Sequence, residues 1–538
     1  MRVDRSPHIV KTGLALLVVL LSPTFCRGQC ERGTARAFID VNGIRATVKN
    51  WAGWGYGQDP FFLEAPKGSG HTAIFAHALW MGGKVHQQLR LAAAKWSYSD
   101  YFPGPLTPSG DAPTDCMPFD RIWVVNREDL AELDATGAPT DDIRDWPYTA
   151  GAEVMDGDGV PGNYDLRGGD RPRMYGDQMA YWVVNDAAGE HSFSLTEPIG
   201  VEVQGLAFAF DRPRYLQSTI FFRNRITYRG KDRLDDAYLG LWSNIQLGWT
   251  SGDYAGADTL LDMGFAYESD NQVDPSWDGF PPALGIVMIK TPVVHDVSGA
   301  RELGMTTFVE TRSTTSDGDG ARPGTDDAYR FMRGYWQDGS PVTEGGYGWG
   351  GVKPTTIMFP GDPVGQKYWS MENVDSLGGR HIDGDPRIIQ ASGPFSMDPG
   401  DSQELDYAII WARGADRFGS ITVLREMAAE AVRDYGALIR PTSSPSDEPD
   451  LSFKLDHYPK PVSGSAMIEY GVPQGGDVTI ALFDVLGRRV DTLEDGFHQA
   501  GQHRLTFRGD ALPDGLYFYV MTIANRFIAR RTMVVMHE

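Results

Sequence analysis

Ala466-Met467-Ile468-Glu469-Tyr470, Asp477-Val478-Thr479-Ile480-Ala481-Leu482-Phe483-Asp484, Gln502-His503-Arg504-Leu505-Thr506-Phe507, Leu516-Tyr517-Phe518-Tyr519-Val520-Met521 and Arg530-Arg531-Thr532-Met533-Val534-Val535-Met536 decide the architecture of the C-terminal end. Each run is short and rich in β-branched and aromatic side chains. Turn signals at Leu486-Gly487-Arg488 and Pro513-Asp514-Gly515 punctuate them. From His457 to Glu538 this rhythm predicts about six or seven strands packed as a small Ig-like sandwich.

The residues between and within those strands resemble a known family. Tyr458-Pro459-Lys460-Pro461, Ile468-Glu469-Tyr470-Gly471-Val472-Pro473, Leu482-Phe483-Asp484-Val485-Leu486-Gly487-Arg488, Ala500-Gly501-Gln502-His503 and Leu512-Pro513-Asp514-Gly515-Leu516-Tyr517-Phe518-Tyr519 follow one another in the chain. In that order they resemble the type A C-terminal sorting domain of the type IX secretion system. The first motif departs from the pattern, reading Lys460-Pro461-Val462-Ser463-Gly464 where Asn-Pro-Phe-Asn-Pro is usual. The resemblance implies an Ig-like delivery module at residues 457–538, the type IX machinery as partner, and a destination outside the cell or on the outer-membrane surface by way of the periplasm.

The N-terminal end agrees with export. Arg2, Arg5, His8 and Lys11 precede an apolar stretch from Thr12 to Leu21, too short to span a bilayer. Residues 1–28 therefore read as a signal peptide cleaved after Gly28, with Cys26 before the cut. No other run is long enough for a membrane helix, so the mature chain is expected to lack a transmembrane segment.

Hydrophobic residues make up 41% of the chain, enough for one or two large cores, while 63 Gly and 34 Pro indicate many turns and short strands. A formal charge of -23 and an isoelectric point near 4.9 argue against nucleic acid, which demands a basic face. After removal of the leader, Cys30 and Cys116 remain, an even pair in an oxidising compartment. Two readings stand for them: a disulfide, contributing roughly 4–5 kcal/mol on the chain-entropy model, or two buried thiols.

A polar, proline-rich linker at 441–456, beginning Pro441-Thr442-Ser443-Ser444-Pro445, separates the module from a body at 29–440, of one or two subdomains. The body is expected to be mainly β, a large sandwich with one late helix. Ile421, Leu424, Met427, Ala428, Ala431, Val432, Tyr435 and Leu438 carry helical spacing, with Ser420 as its N-cap. Val201 to Phe210 and Ser218 to Tyr228 read as strands, the second alternating so that one face should meet solvent. Asp406 to Ala412 is more uniformly apolar and suits a central strand. The body is similar to large uncharacterised secreted proteins bearing the same sorting domain, through Ala78-Leu79-Trp80-Met81-Gly82-Gly83, Tyr101-Phe102-Pro103-Gly104-Pro105-Leu106 and Gly176-Asp177-Gln178-Met179-Ala180-Tyr181-Trp182-Val183-Val184-Asn185-Asp186, among other stretches. That similarity implies no activity.

Met155-Asp156-Gly157-Asp158-Gly159-Val160-Pro161-Gly162-Asn163-Tyr164-Asp165 is the leading metal candidate, because oxygens at alternate positions of a glycine-bent loop can converge on Ca²⁺. Asp156 and Asp158, completed by Asp165 or a backbone carbonyl, would hold a structural calcium ion; a solvated Asp-Gly turn is the equal alternative. Asp317-Gly318-Asp319-Gly320 and Asp383-Gly384-Asp385-Pro386 read as loops. Asp253-Tyr254-Ala255-Gly256-Ala257-Asp258 matches an acidic pattern of the similar proteins, but their upstream Asp-x-Asp-Leu-Gly is Asn244-Ile245-Gln246-Leu247-Gly248 here, which removes two carboxylates a cation would use.

No nucleophile elbow, zinc helix, Walker loop or dinucleotide fingerprint occurs. No catalytic or cofactor-binding residue is therefore assigned; His71 and His77 are six apart, wrong for a zinc-helix pair, and read as surface or packing residues. Tyr347 and Trp349, on the glycine-rich loop Glu344 to Gly351, are the candidates for glycan contact. The chain reads as a secreted or surface structural or binding protein with a glycan or surface partner; the alternative is a polysaccharide-active enzyme resembling glycoside hydrolases.

Overall fold

Alternation along one strand explains how the body is layered. In Ser402–Arg413, Tyr407 and Ile409 enter one hydrophobic core while Ala408 and Ile410 enter a second on the opposite face. The computed structural model describes residues 30–537 except 52, 55–60, 213, 249–251, 272–273, 275–276, 278, 297–298, 313–319, 373–385, 441–454, 459–461, 473–475, 485–487, 499–500, 510–511 and 524–525. The stretch 1–28 expected to be a signal peptide, most of the expected linker at 441–456, Asp317-Gly318-Asp319 and Asp383-Gly384-Asp385 lie outside the described residues. Strands occupy 46% of the chain against 12% helix, so the fold is mainly β.

Two nine-stranded antiparallel sheets form the body. The first runs through Arg36–Ile39, Arg45–Lys49, Leu63–Glu64, Thr72–Val85, Leu234–Ile245, Pro386–Met397 and Thr307–Arg312, with Gly53–Trp54 and Gln88–Ala92 also paired to Thr72–Val85. The second runs through Trp123–Asn126, Gln178–Asn185, Val201–Ala209, Thr219–Tyr228, Ser402–Arg413, Pro282–Lys290, Met263–Glu268 and Asp253–Asp258, with Phe102–Pro103 also paired to Gln178–Asn185. Trp80 and Trp242 from the first sheet share a core with Trp182, Phe222 and Tyr407 from the second. The helix Arg417–Leu438 covers the other face of the second sheet, burying Ile421, Leu424, Ala428, Ala431, Tyr435 and Leu438. Contact is close: a Cβ at Gly285 would come 2.7 Å from Met263 Sδ and 3.0 Å from Leu424 Cδ1.

That third layer corrects the expectation of a half-exposed strand. Thr219–Tyr228 is buried on both faces apart from Arg223 and Arg225, because the helix and the segment before Gln178 cover the side that alternation alone assigns to water. The helix also begins earlier than its apolar stripe suggests. Asp416, not Ser420, is the N-cap, its Oδ1 accepting from Gly419 N at 2.7 Å, while Ser420 Oγ donates inward to Pro281 O. A second helix, Arg127–Thr136, escapes the periodicity test because only Leu133 is buried. Its cap is nonetheless visible in sequence: Asp129 Oδ2 accepts from Asn126 N at 2.9 Å, and Gly137 ends the helix at φ 75°.

The C-terminal module packs Asp456–Tyr458, Ser465–Val472 and Gly501–Arg508 against Arg489–His498, Gly476–Asp484, Gly515–Ile523 and Arg526–Val535. Ile468, Val478, Ile480, Leu482, Tyr519, Met521 and Val535 fill its core. Arg489–His498 is the strand that sequence alternation misses: it sits at a sheet edge with no buried residue.

Candidate functional site

The glycine-rich loop after Pro341 builds an aromatic platform. Gly345, Gly346, Gly348 and Gly350 all have positive φ, between 53° and 97°, conformations a side-chain-bearing residue rarely adopts. Buried Trp336 donates its Nε1 to Gly348 O at 3.0 Å, and Trp369 Nε1 donates to Gly346 O at 2.9 Å, so two indoles pin the loop. Trp349 then lies flat on Trp336, with centroids 4.6 Å apart and planes 9° apart, and stays 38% exposed. Tyr368, 43% exposed, donates its hydroxyl to Glu344, which also pairs with Lys353 Nζ at 2.5 Å. Lys353 and Tyr368 hold the Glu344 carboxyl below its ordinary range.

Tyr347, two residues from Trp349, does the opposite. Its hydroxyl donates inward to Glu310, which pairs with Arg312 at 2.6 Å in the interior, and burial drives that phenol far above its ordinary range. Of the two ring candidates, the loop thus presents Trp349 and turns Tyr347 inward.

The Asp-Gly loop brings Asp156 and Asp158 together with Asp170, their carboxylate oxygens within 4.8 Å of one another. Asp165 is placed elsewhere: its Oδ1 accepts from Arg167 N, and its own N–H donates to Asp170 Oδ2 at 2.7 Å. Asp170 is the anchor, fully buried, its carboxylate accepting from the N–H groups of Gly157 and Asp165 and held below the usual range by those bonds. Asp156 accepts from Gly159 N, and Asp158 from Val160 N and Asn163 Nδ2. The loop is therefore closed by its own hydrogen bonds, and a cation could bind the outward lone pairs of Asp156 and Asp158.

The acidic stretch at Asp253 lies in a different environment. Asp253 sits directly across the strand pair from Glu268, both wholly buried, and Asp253 Oδ2 accepts from Leu247 N at 2.9 Å. Glu268 Oε1 accepts from Trp277 Nε1 at 3.2 Å, while its Oε2 has no hydrogen-bond partner among the described residues. Burial, then the neighbouring Asp274 charge, pushes the Glu268 carboxyl up to about 8.

A polar cavity of about 100 Å³ opens on the helix-covered face of the second sheet. Asp406 forms its floor with Arg223, Nε to Oδ2 3.4 Å, and accepts from the Tyr435 hydroxyl at 2.7 Å. Burial lifts the Asp406 carboxyl to about 6, opposed by the Arg223 charge and the Tyr435 bond. Neither Asp406 nor Glu268 stands out in sequence; the signal for Asp406 is an acid opening an otherwise apolar central strand. His77 is a packing residue, its ring held between Ser243 Oγ and Tyr407 Oη and lowered to about 3 by burial. Cys30 and Cys116 are joined by a disulfide, Cα to Cα 5.8 Å.

Residues 456–535, the two packed sheets of the C-terminal module, match the family described as the secretion system C-terminal sorting domain. The chain carries a type IX sorting domain. The sorting domain implies contact with the type IX secretion machinery and export to the cell surface or the extracellular space. Among the described residues no helix is long and apolar enough to cross a membrane. No curated protein matches the chain. Among solved structures, a polysaccharide lyase aligns at 8% identity and TM-score 0.21, over 72% of this chain and 39% of its own. A β-glucuronidase from Ruminococcus gnavus aligns at 10% and 0.13, over 47% and 35%. A pullulanase from Bacillus acidopullulyticus aligns at 12% and 0.13, over 53% and 34%. The chain thus spans well under half the length of each, and similarity this low carries no argument about the body.

Proposed function

We propose that the body ahead of the sorting domain is a surface-displayed or released binding protein that contacts glycan through Trp349. The observation that supports this most is the Trp349 ring stacked on Trp336 yet 38% exposed, on the same loop as Glu344, which bonds Lys353 and Tyr368. Leaving part of an indole in water forgoes burial worth about 2 kcal/mol, and a rigid, pre-oriented ring is what stacking on a sugar face requires. The test is a glycan array probed with the purified protein and with Trp349→Ala. Loss of the bound glycan signal by about tenfold or more, with the melting temperature nearly unchanged, is the expected result; equal binding by both proteins refutes the assignment.

A polysaccharide-cleaving enzyme is the second reading, favoured by one feature, the Asp406 carboxyl raised to about 6 in the same cavity as Glu153. It ranks behind because the cavity, at about 100 Å³, is smaller than the roughly 300 Å³ that whole-ligand sites occupy. Reducing-end and unsaturated-product assays run on each glycan bound in the array decide between the two.

A further inference from the structure

We propose that the Arg225 cavity on the second sheet binds the carboxylate end of a monoanionic small ligand, a site separate from the Trp349 platform. Its floor follows from strand alternation. Residues two apart share a face, so Val201–Ala209 contributes Gln204, Thr219–Tyr228 contributes Arg223 and Arg225, and Ser402–Arg413 contributes Glu404 and Asp406. Its walls are aromatic and fixed: Trp146 Nε1 donates to Glu153 O at 3.0 Å and the Tyr181 hydroxyl to Ala150 O at 2.7 Å, holding the two rings 5.7 Å apart.

Charge pairing around the cavity holds every cation except Arg225 within ion-pair distance of an acid. Arg173 pairs with Glu153 at 2.5 Å, Arg223 with Asp406 at 3.4 Å and with Glu153 at 3.8 Å, and Lys290 with Glu404 at 2.8 Å. Arg225 is exposed at the rim and makes no close ion pair among the described residues; its charge acts at longer range on its cross-strand neighbour Glu404 and on Tyr181. A guanidinium outside any close ion pair, with a planar fork of donors, suits a carboxylate. The acids nearby, Glu153, Glu202, Glu404 and Asp406, disfavour a dianion such as phosphate. The cavity volume of about 100 Å³ equals roughly three waters, room for a carboxylate and the one or two carbons behind it, so the rest of the ligand lies over the rim.

A free short-chain carboxylate and the uronate residue of an acidic glycan share this chemistry, and calorimetry on the full-length protein separates them. Sodium glucuronate, sodium acetate and glucose are titrated into the wild type, Arg225→Gln and Arg225→Lys. Saturable glucuronate binding, no glucose binding, a loss of about tenfold or more in Arg225→Gln and a smaller loss in Arg225→Lys are expected. Acetate binding as tightly as glucuronate assigns the site to free carboxylates; acetate weaker by about tenfold assigns it to uronates. Arg225 is a rim residue, so its variants keep the fold, and an unchanged circular dichroism melt verifies it. No saturation by either anion, equal binding by wild type and Arg225→Gln, or glucose binding as well as glucuronate overturns the proposal.

Discussion

Replacing Glu268 by Gln should change how stability depends on pH. In the folded protein this carboxyl is raised from 4.5 to about 8, first by burial and then by the Asp274 charge, with the Trp277 N–H bond opposing. A carboxyl with a raised folded value binds its proton more tightly when folded. Its contribution is therefore fully present below about 4.5 and is lost as pH rises through about 8. A shift of this size corresponds to a ceiling of roughly 4–5 kcal/mol, and because Glu268 and Asp274 share the effect, about 2–4 kcal/mol is expected between pH 5 and pH 9. Glu268→Gln keeps the shape and an acceptor for Trp277 but cannot ionise. Denaturant unfolding of both proteins across that range isolates the joint Glu268–Asp274 effect as a difference, since the remaining titrations appear in both. The variant should gain on the wild type by roughly one kcal/mol per pH unit between about pH 6 and 8. A difference constant to within about 0.5 kcal/mol across the range would show that Glu268 does not titrate against a buried acid, and the reasoning would fail.

Three further outcomes are expected. Reducing the Cys30–Cys116 bridge, or replacing both residues by Ser, should cost about 2–5 kcal/mol, and non-reducing peptide mapping should recover the two peptides linked; alkylation of both thiols in native-source protein contradicts it. Calcium at about 1–2 mM should raise stability by roughly 0.5–1.5 kcal/mol through the Asp156 and Asp158 loop, and Asp156→Asn with Asp158→Asn should abolish the increment; a wild-type melt indifferent to calcium leaves a solvated turn. A chain ended at Pro449 should accumulate in the periplasm instead of reaching the surface or medium, read by cell fractionation; normal export would contradict the sorting role.

The sorting domain and the helix Arg417–Leu438 were legible because their signals are local. Strand alternation, turn residues and an apolar stripe are properties of neighbouring residues, and so was the Asp-Gly turn that places Asp156 beside Asp158. Chain-distant partners decided the rest. Asp170 joins that turn, and Asp165 does not, because two backbone N–H groups lock the Asp170 carboxylate in place across the loop. Tyr347 and Trp349 are equivalent in sequence, yet one finds Glu310 inside and the other finds only Trp336 beneath it. Arg225 and Glu268 acquire their chemistry from strand register: pairing Thr219–Tyr228 with Ser402–Arg413 pools charge around a cavity, and pairing Asp253 with Glu268 buries two acids side by side. Period-two alternation determines which side chains share a face, but only the packing of a third layer onto the second sheet determined that both of its faces would be dry.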